Sequence, residues 1–178
     1  MTPVWLNRAA TLTKVISYVN QASEQECDLV CFGEALVPGY PFWLASTGGA
    51  DFNNQVQKEI HARYLQEGVV PEQGHLEGVQ AAAKKGKIMV VLGIMERPLE
   101  RGGHTLYASA VTIGRDGEIL SIHRKLMPTY EERLAWGIGD GHGIKTHPLG
   151  PVCCPAPLPL YLIYIDVFVS LGSSPWVP

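Results

Sequence analysis

The sequence predicts an α/β fold. Apolar residues recur at helical spacing in some stretches, and short unbroken apolar runs fall between them. One pair of apolar runs is joined by an Asp-Gly turn. Helices and strands that alternate in this way bury themselves as helices on a sheet.

The elements follow in order. Leu12, Val15, Ile16 and Val19 share one helical stripe, which predicts an amphipathic helix over 8–21. The run 29–32 reads as a buried strand ended by Gly33-Glu34, and Pro38, Gly39 and Pro41 stiffen the loop beyond it. A second helix fits 54–67, with Val56, Ile60 and Tyr64 on its stripe and Gly68 as its stop. A third fits 76–85, stopped by Gly86. Residues 87–94 read as a strand buried on both faces. Strands over 105–113 and 118–123 are joined by Gly114-Arg115-Asp116-Gly117. Pro128 to Arg133 has the acidic first turn of a helix start.

Composition bounds the function. A chain of 178 residues with 46% hydrophobic and 17% charged residues suggests one soluble domain. A net charge of −3 offers no basic field for nucleic acid. Cys27, Cys31, Cys153 and Cys154 form neither a disulfide framework nor zinc-ligand spacing, so no metal is expected. The opening lacks the basic-then-apolar order of a signal peptide. The apolar run 158–171 is too short, and broken by Pro159 and Asp166, to span a membrane. A cytoplasmic, reducing location is expected. Only Asp166 among the 31 charged residues falls in the last 28 positions, which also hold 6 of the 13 prolines.

Three residues stand out chemically. Glu34 closes an apolar strand, where desolvation would raise its pKa and suit it to act as a base; an ordinary strand-end carboxylate facing water is the competing account. Lys125 ends His123-Arg124-Lys125. Alternation sends Arg124 away from His123 and Lys125, so one of these can offer a fixed cation to an oxyanion, against the commoner solvated charge run. Glu132 falls seven residues after Lys125 and could return to the same cavity, while helix capping accounts for Glu131. Gly137-Ile138-Gly139-Asp140-Gly141 lacks a phosphate-loop context, and His142 and His147 lack ligand spacing.

In order, these segments resemble a family. Phe32-Gly33-Glu34-Ala35-Leu36-Val37-Pro38-Gly39-Tyr40-Pro41-Phe42-Trp43 closely resembles the glutamate motif of the nitrilase family of carbon–nitrogen hydrolases. The segment from His123-Arg124-Lys125 through Glu132-Arg133-Leu134 to Trp136 and Gly141 is similar to the lysine motif of its nitrilase branch, and Gly102 to Tyr107 resembles the stretch before the hairpin there. The resemblance implies a four-layer α-β-β-α sandwich, frequent homo-oligomers, no cofactor, and a Glu-Lys-Cys triad converting a nitrile to a carboxylic acid and ammonia. By matching position it implies Glu34 as general base, Lys125 as the stabiliser of the anionic intermediate and Glu132 as an additional positioning glutamate.

One part of the pattern fails. The family's Cys-Trp-Glu strand has no counterpart. Cys153 and Cys154 come too early, and Pro155, Pro157 and Pro159 exclude a central strand there. The expectation is a C-terminally truncated hydrolase domain over 1–152, followed by a divergent Pro-rich apolar tail over 153–178 and lacking the expected nucleophile. Two functions follow: a nitrile hydrolase of doubtful activity, or a non-catalytic subunit that associates with intact relatives.

Overall fold

The computed structural model describes residues 1–148, so the readings placed on Cys153, Cys154 and the Pro-rich tail lie outside the described residues. The elements run α1 (Arg8–Glu24), β1 (Leu29–Cys31), α2 (Trp43–Ser46), α3 (Gln55–Gln66), α4 (Glu77–Gly86), β2 (Met89–Glu96), β3 (Tyr107–Ile113) and β4 (Ile119–Arg124), then a 3₁₀ turn at Tyr130–Leu134. The α/β expectation holds. One four-stranded sheet has the order β1-β2-β3-β4, with β1 parallel to β2 and the other two pairs antiparallel.

The helical spacing in α1 has a plain consequence. Leu12, Val15 and Val19 of α1, with Val79, Ala82 and Ala83 of α4, pack on Val90, Leu92 and Ile94 of β2 and on Val111 and Ile113 of β3. Asn7 caps α1, accepting a bond from the Ala10 amide at 2.9 Å. A second cluster gathers Ala35, Trp43, Leu44, Tyr64, Met95, Leu106, Ala108, Ala135 and Trp136 at the end of the sheet where the site lies.

Several boundaries differ from expectation. Strand β2 runs on to Glu96 because it pairs with β3 as far as Tyr107. Helix α4 stops at Lys87, which takes the left-handed conformation expected of a glycine. In α3 the stripe is rotated: Val56 is exposed, while Gln57 and Tyr64 are buried. The reason is local, since the Gln57 amide nitrogen donates to both the carbonyl and the hydroxyl of Thr47. The short α2 carried no periodic signal, and the predicted helix start at 128–133 is a 3₁₀ turn. No helix among the described residues is long and apolar enough to cross a membrane.

Candidate active site

The site is assembled from three chain segments. After β1 the chain bulges over the face of β2, and only a glycine allows it: a Cβ on Gly93 would lie 2.0 Å from the Gly33 carbonyl oxygen and 2.8 Å from the Glu34 Cα. Beyond this bulge the chain rejoins the same edge of β2, with the Val37 amide bonded to the Gly93 carbonyl and the Met95 amide to the Val37 carbonyl. Glu34 is thereby held over the sheet face opposite α1 and α4.

Lys125 follows the last residue of β4. Its amide donates to the Ala108 carbonyl at 2.8 Å, and its carbonyl accepts from the Gly139 amide at 3.0 Å. Gly139 is required there, because a Cβ would meet the Lys125 carbonyl oxygen at 2.4 Å. Glu132 comes from the 3₁₀ turn. Its carboxylate accepts from the Thr129 amide at 2.6 Å, so Glu132, rather than the expected Glu131, caps this turn. The Thr129-x-x-Glu132 spacing is the sequence signal for it.

These three side chains meet. The Lys125 Nζ lies 2.8 Å from Glu34 Oε1 and donates to Glu132 Oε2 at 2.8 Å. Lys125 and Glu132 are each 6% exposed, and the Glu34 side chain 11%, so the alternative of solvated surface charges is set aside. Two carboxylates facing one ammonium give the cluster a formal charge of −1. Burial pulls the Lys125 pKa down, but the carboxylates of Glu132 and Glu34 outweigh it and hold the ammonium above its ordinary range. Burial likewise pushes Glu132 up, and its bonds from Lys125, Thr129 and Tyr40 bring it below its ordinary range.

An aromatic wall backs the cluster. The Tyr40 hydroxyl donates to Glu132 Oε1 at 2.8 Å, and burial with that bond raises its pKa. Trp136 stands edge-on to Tyr40 with centroids 5.6 Å apart, and its ring centroid is 5.7 Å from Lys125 Nζ. Neither ring's place in the site was apparent from the sequence pattern, because each makes its contacts through long-range packing.

The remaining candidates lie apart from this cluster. His123 is buried on the same face as Lys125, and neither ring nitrogen has a hydrogen-bond partner among the described residues. Exposed His142 sits on Asp140, and the His147 ring is 2.8 Å from the Ser121 hydroxyl. Burial pushes the Cys31 thiol up to about 11, which keeps it protonated at neutral pH, and Cys27 is exposed. Among the described residues no group of three or more His, Cys, Asp or Glu is arranged to hold a metal.

Comparison with known proteins places the chain in a family. The carbon-nitrogen hydrolase family pattern matches residues 1–155. An aliphatic nitrilase from Rhodococcus rhodochrous is 34% identical over 149 residues, 82% of this chain and 37% of that protein. An arylacetonitrilase from Hypocrea virens is 33% identical over 81% of this chain and 40% of its own length. A cyanide hydratase from Leptosphaeria maculans is 31% identical over 78% of this chain and 36% of its own. The fold is similar to that of an amidase from Nesterenkonia sp. AN1, with a TM-score of 0.52 at 16% identity over 79% of this chain and 46% of that one. The chain thus spans less than half the length of these relatives. It belongs to the carbon-nitrogen hydrolase family.

Proposed function

We propose that this chain carries the base-and-cation part of a nitrile-hydrolysing site. The observation that supports the reading is the buried ammonium of Lys125 set 2.8 Å from both Glu34 and Glu132. A nitrile carbon is a weak electrophile, so attack needs a deprotonated nucleophile and a cation where negative charge develops. In this reading Glu34 takes the proton of a thiol as sulfur bonds to the nitrile carbon. Lys125 stabilises the charge arising on the substrate, giving a thioimidate. One water adds and ammonia leaves; a second water releases the carboxylic acid and returns the thiol. Glu132, held by Tyr40 and the Thr129 amide, fixes Lys125 and orients substrate.

The thiol is the open part. Cys31 is held neutral and Cys27 lies exposed and apart from the cluster, leaving Cys153 or Cys154, outside the described residues, as the nucleophiles this chain could use. The Pro155-Ala156-Pro157 sequence beside them favours a second reading, in which the chain is a non-catalytic subunit associating with an intact relative. Incubation with aliphatic and aryl nitriles, with ammonia measured and adducts mapped by mass spectrometry, separates the two. Turnover abolished by Glu34→Gln, with an adduct on Cys153 or Cys154, supports the hydrolase. No ammonia, no adduct and co-purification with a full-length relative supports the subunit. Turnover unaffected by both Glu34→Gln and Lys125→Met overturns the site assignment.

A further inference from the structure

The helix-side face of the sheet ends in charge. On that face β2 presents Val90, Leu92 and Ile94, then Glu96; β3 presents Ile113 and Val111, then Ser109 and Tyr107; β4 presents Ile122, then Arg124. Glu96 is 3% exposed and the Arg124 side chain 14%. The guanidinium donates to Glu96 through Nη2 to Oε1 at 2.6 Å and Nε to Oε2 at 2.9 Å. It also reaches Glu100 at 2.8 Å and Asp140 at 3.2 Å, and lies 4.5 Å from the Tyr107 ring centroid. The Ser109 hydroxyl donates to Glu96 at 2.7 Å.

A buried ion pair is seldom more stabilising than the apolar pair that could replace it. Aliphatic residues fill the same face one step earlier, so stability alone does not account for this knot. Its geometric effect is specific. It ties the ends of β2 and β3, the 99–101 turn and the loop at Asp140 to the final residue of β4. Lys125 is the next residue, and consecutive residues along a strand face opposite sides. Fixing the Arg124 side chain on one side therefore fixes the strand twist from which Lys125 departs on the other.

We propose that Glu96 and Arg124 are positioning residues for Lys125, setting its ammonium at bonding distance from both Glu34 and Glu132. The proposal rests on Lys125 being the cation of the site described above, but its test reads Lys125 itself and does not depend on hydrolysis.

The test is an NMR titration of the full chain labelled with ¹⁵N-lysine, the Lys125 signal being assigned from Lys125→Arg. Among the described residues the titratable groups facing Lys125 are Glu34 and Glu132, with Tyr40 bonded to Glu132. Charge and position predict opposite signs. Were Arg124 only a neighbouring charge, Arg124→Met would raise the Lys125 pKa and Arg124→Lys would leave it unchanged. Positioning predicts a fall of about 1 unit in both, because the carboxylates no longer sit at bonding distance. Arg115→Met, which breaks the Arg115–Asp28 pair, leaves the titration unmoved. Circular dichroism establishes that each variant is folded. A folded Arg124→Lys chain with the wild-type Lys125 titration overturns the proposal. So does loss of the fold in both Arg124 variants, since the knot would then hold the sheet rather than one side chain. Absence of nitrile turnover alongside the expected fall would sink the hydrolase reading and leave this one standing.

Discussion

The two faces of the sheet are held by different physics. Toward α1 and α4 the residues are aliphatic over most of their length, and each touches several others, so no single contact decides the arrangement. The opposite face carries the apolar Val91 and Met95 but also Gly93, Ala108, Ala110, Thr112, Ser121, His123 and Lys125, so it is smaller and more polar, and it leads to the Lys125 cluster. There a few charged contacts decide the geometry, and each depends on the others. The first face tolerates loss of a methyl group with local settling, whereas the second face should fail as a unit.

The largest test removes the central cation. Lys125→Met leaves Glu34 and Glu132 buried without their common partner, and breaking a buried pair in this way costs about 3–5 kcal/mol. Combining it with Glu34→Gln and Glu132→Gln should recover most of that loss, because no uncompensated charge remains. Urea unfolding of the single and triple variants measures both values. Equal stabilities would mean that the cluster is not coupled and would remove the contrast between the faces.

On the aliphatic face Leu92→Ala should cost about 2–4 kcal/mol by opening a cavity. Leu92 is fully buried in the cluster with α1 and α4. The contrast predicts that this loss leaves the Lys125 titration unchanged. Gly93→Ala, one residue on and facing the other way, should do the reverse. It strikes the Gly33 carbonyl and displaces Glu34, lowering the Lys125 pKa while costing about 1–3 kcal/mol.

The faces also differ in how far the sequence disclosed them. The period of Leu12, Val15 and Val19 and the unbroken run of β2 reveal the aliphatic side directly, since burial there follows from spacing alone. Residue chemistry singled out Glu34, Lys125 and Glu132 one by one, and two long motifs that resemble a family joined them, because Glu34 and Lys125 are brought together by a chain bulge at Gly93 that no local pattern encodes. The Glu96–Arg124 pair was not legible either, as its partners come from different strands. Val56 misled because a polar residue, Gln57, found buried partners in Thr47 and took the inward place.

Dependence on pH sharpens the comparison further, because titrating groups hold the Lys125 cluster and not the aliphatic stretch packed on α1 and α4. Glu132 has a depressed pKa, so its stabilising contribution is present above the ordinary glutamate value and is lost as pH falls through its folded value. Lys125 has a raised pKa, so its contribution is complete below the ordinary lysine value and is lost as pH rises through its folded value. Stability from this cluster therefore has a plateau through neutral pH with an acid limb and an alkaline limb. Denaturant unfolding across pH should show the alkaline limb shrinking in Lys125→Met and persisting in Leu92→Ala. An unchanged alkaline limb in Lys125→Met would assign it to other groups.

The smallest expected effect comes from the rim of the cluster. Tyr40→Phe removes one hydroxyl that donates to Glu132 Oε1, leaving the ring against Phe42 and Trp136. A hydrogen bond to a charged acceptor contributes about 1.5–3 kcal/mol, and this one is only partly buried, so water can replace the hydroxyl and the loss should fall near about 1 kcal/mol. Its direction on pKa is more informative than its size. Without the donor, Glu132 holds its proton more readily, so its pKa should rise, while Lys125 remains bonded to the same carboxylate through Oε2. A ¹³C titration of Glu132 beside the ¹⁵N titration of Lys125 would then show the first moving and the second nearly still. If both move together, the two oxygens of Glu132 do not act separately, and Tyr40 belongs with Glu34 and Glu132 among the groups that place the cation.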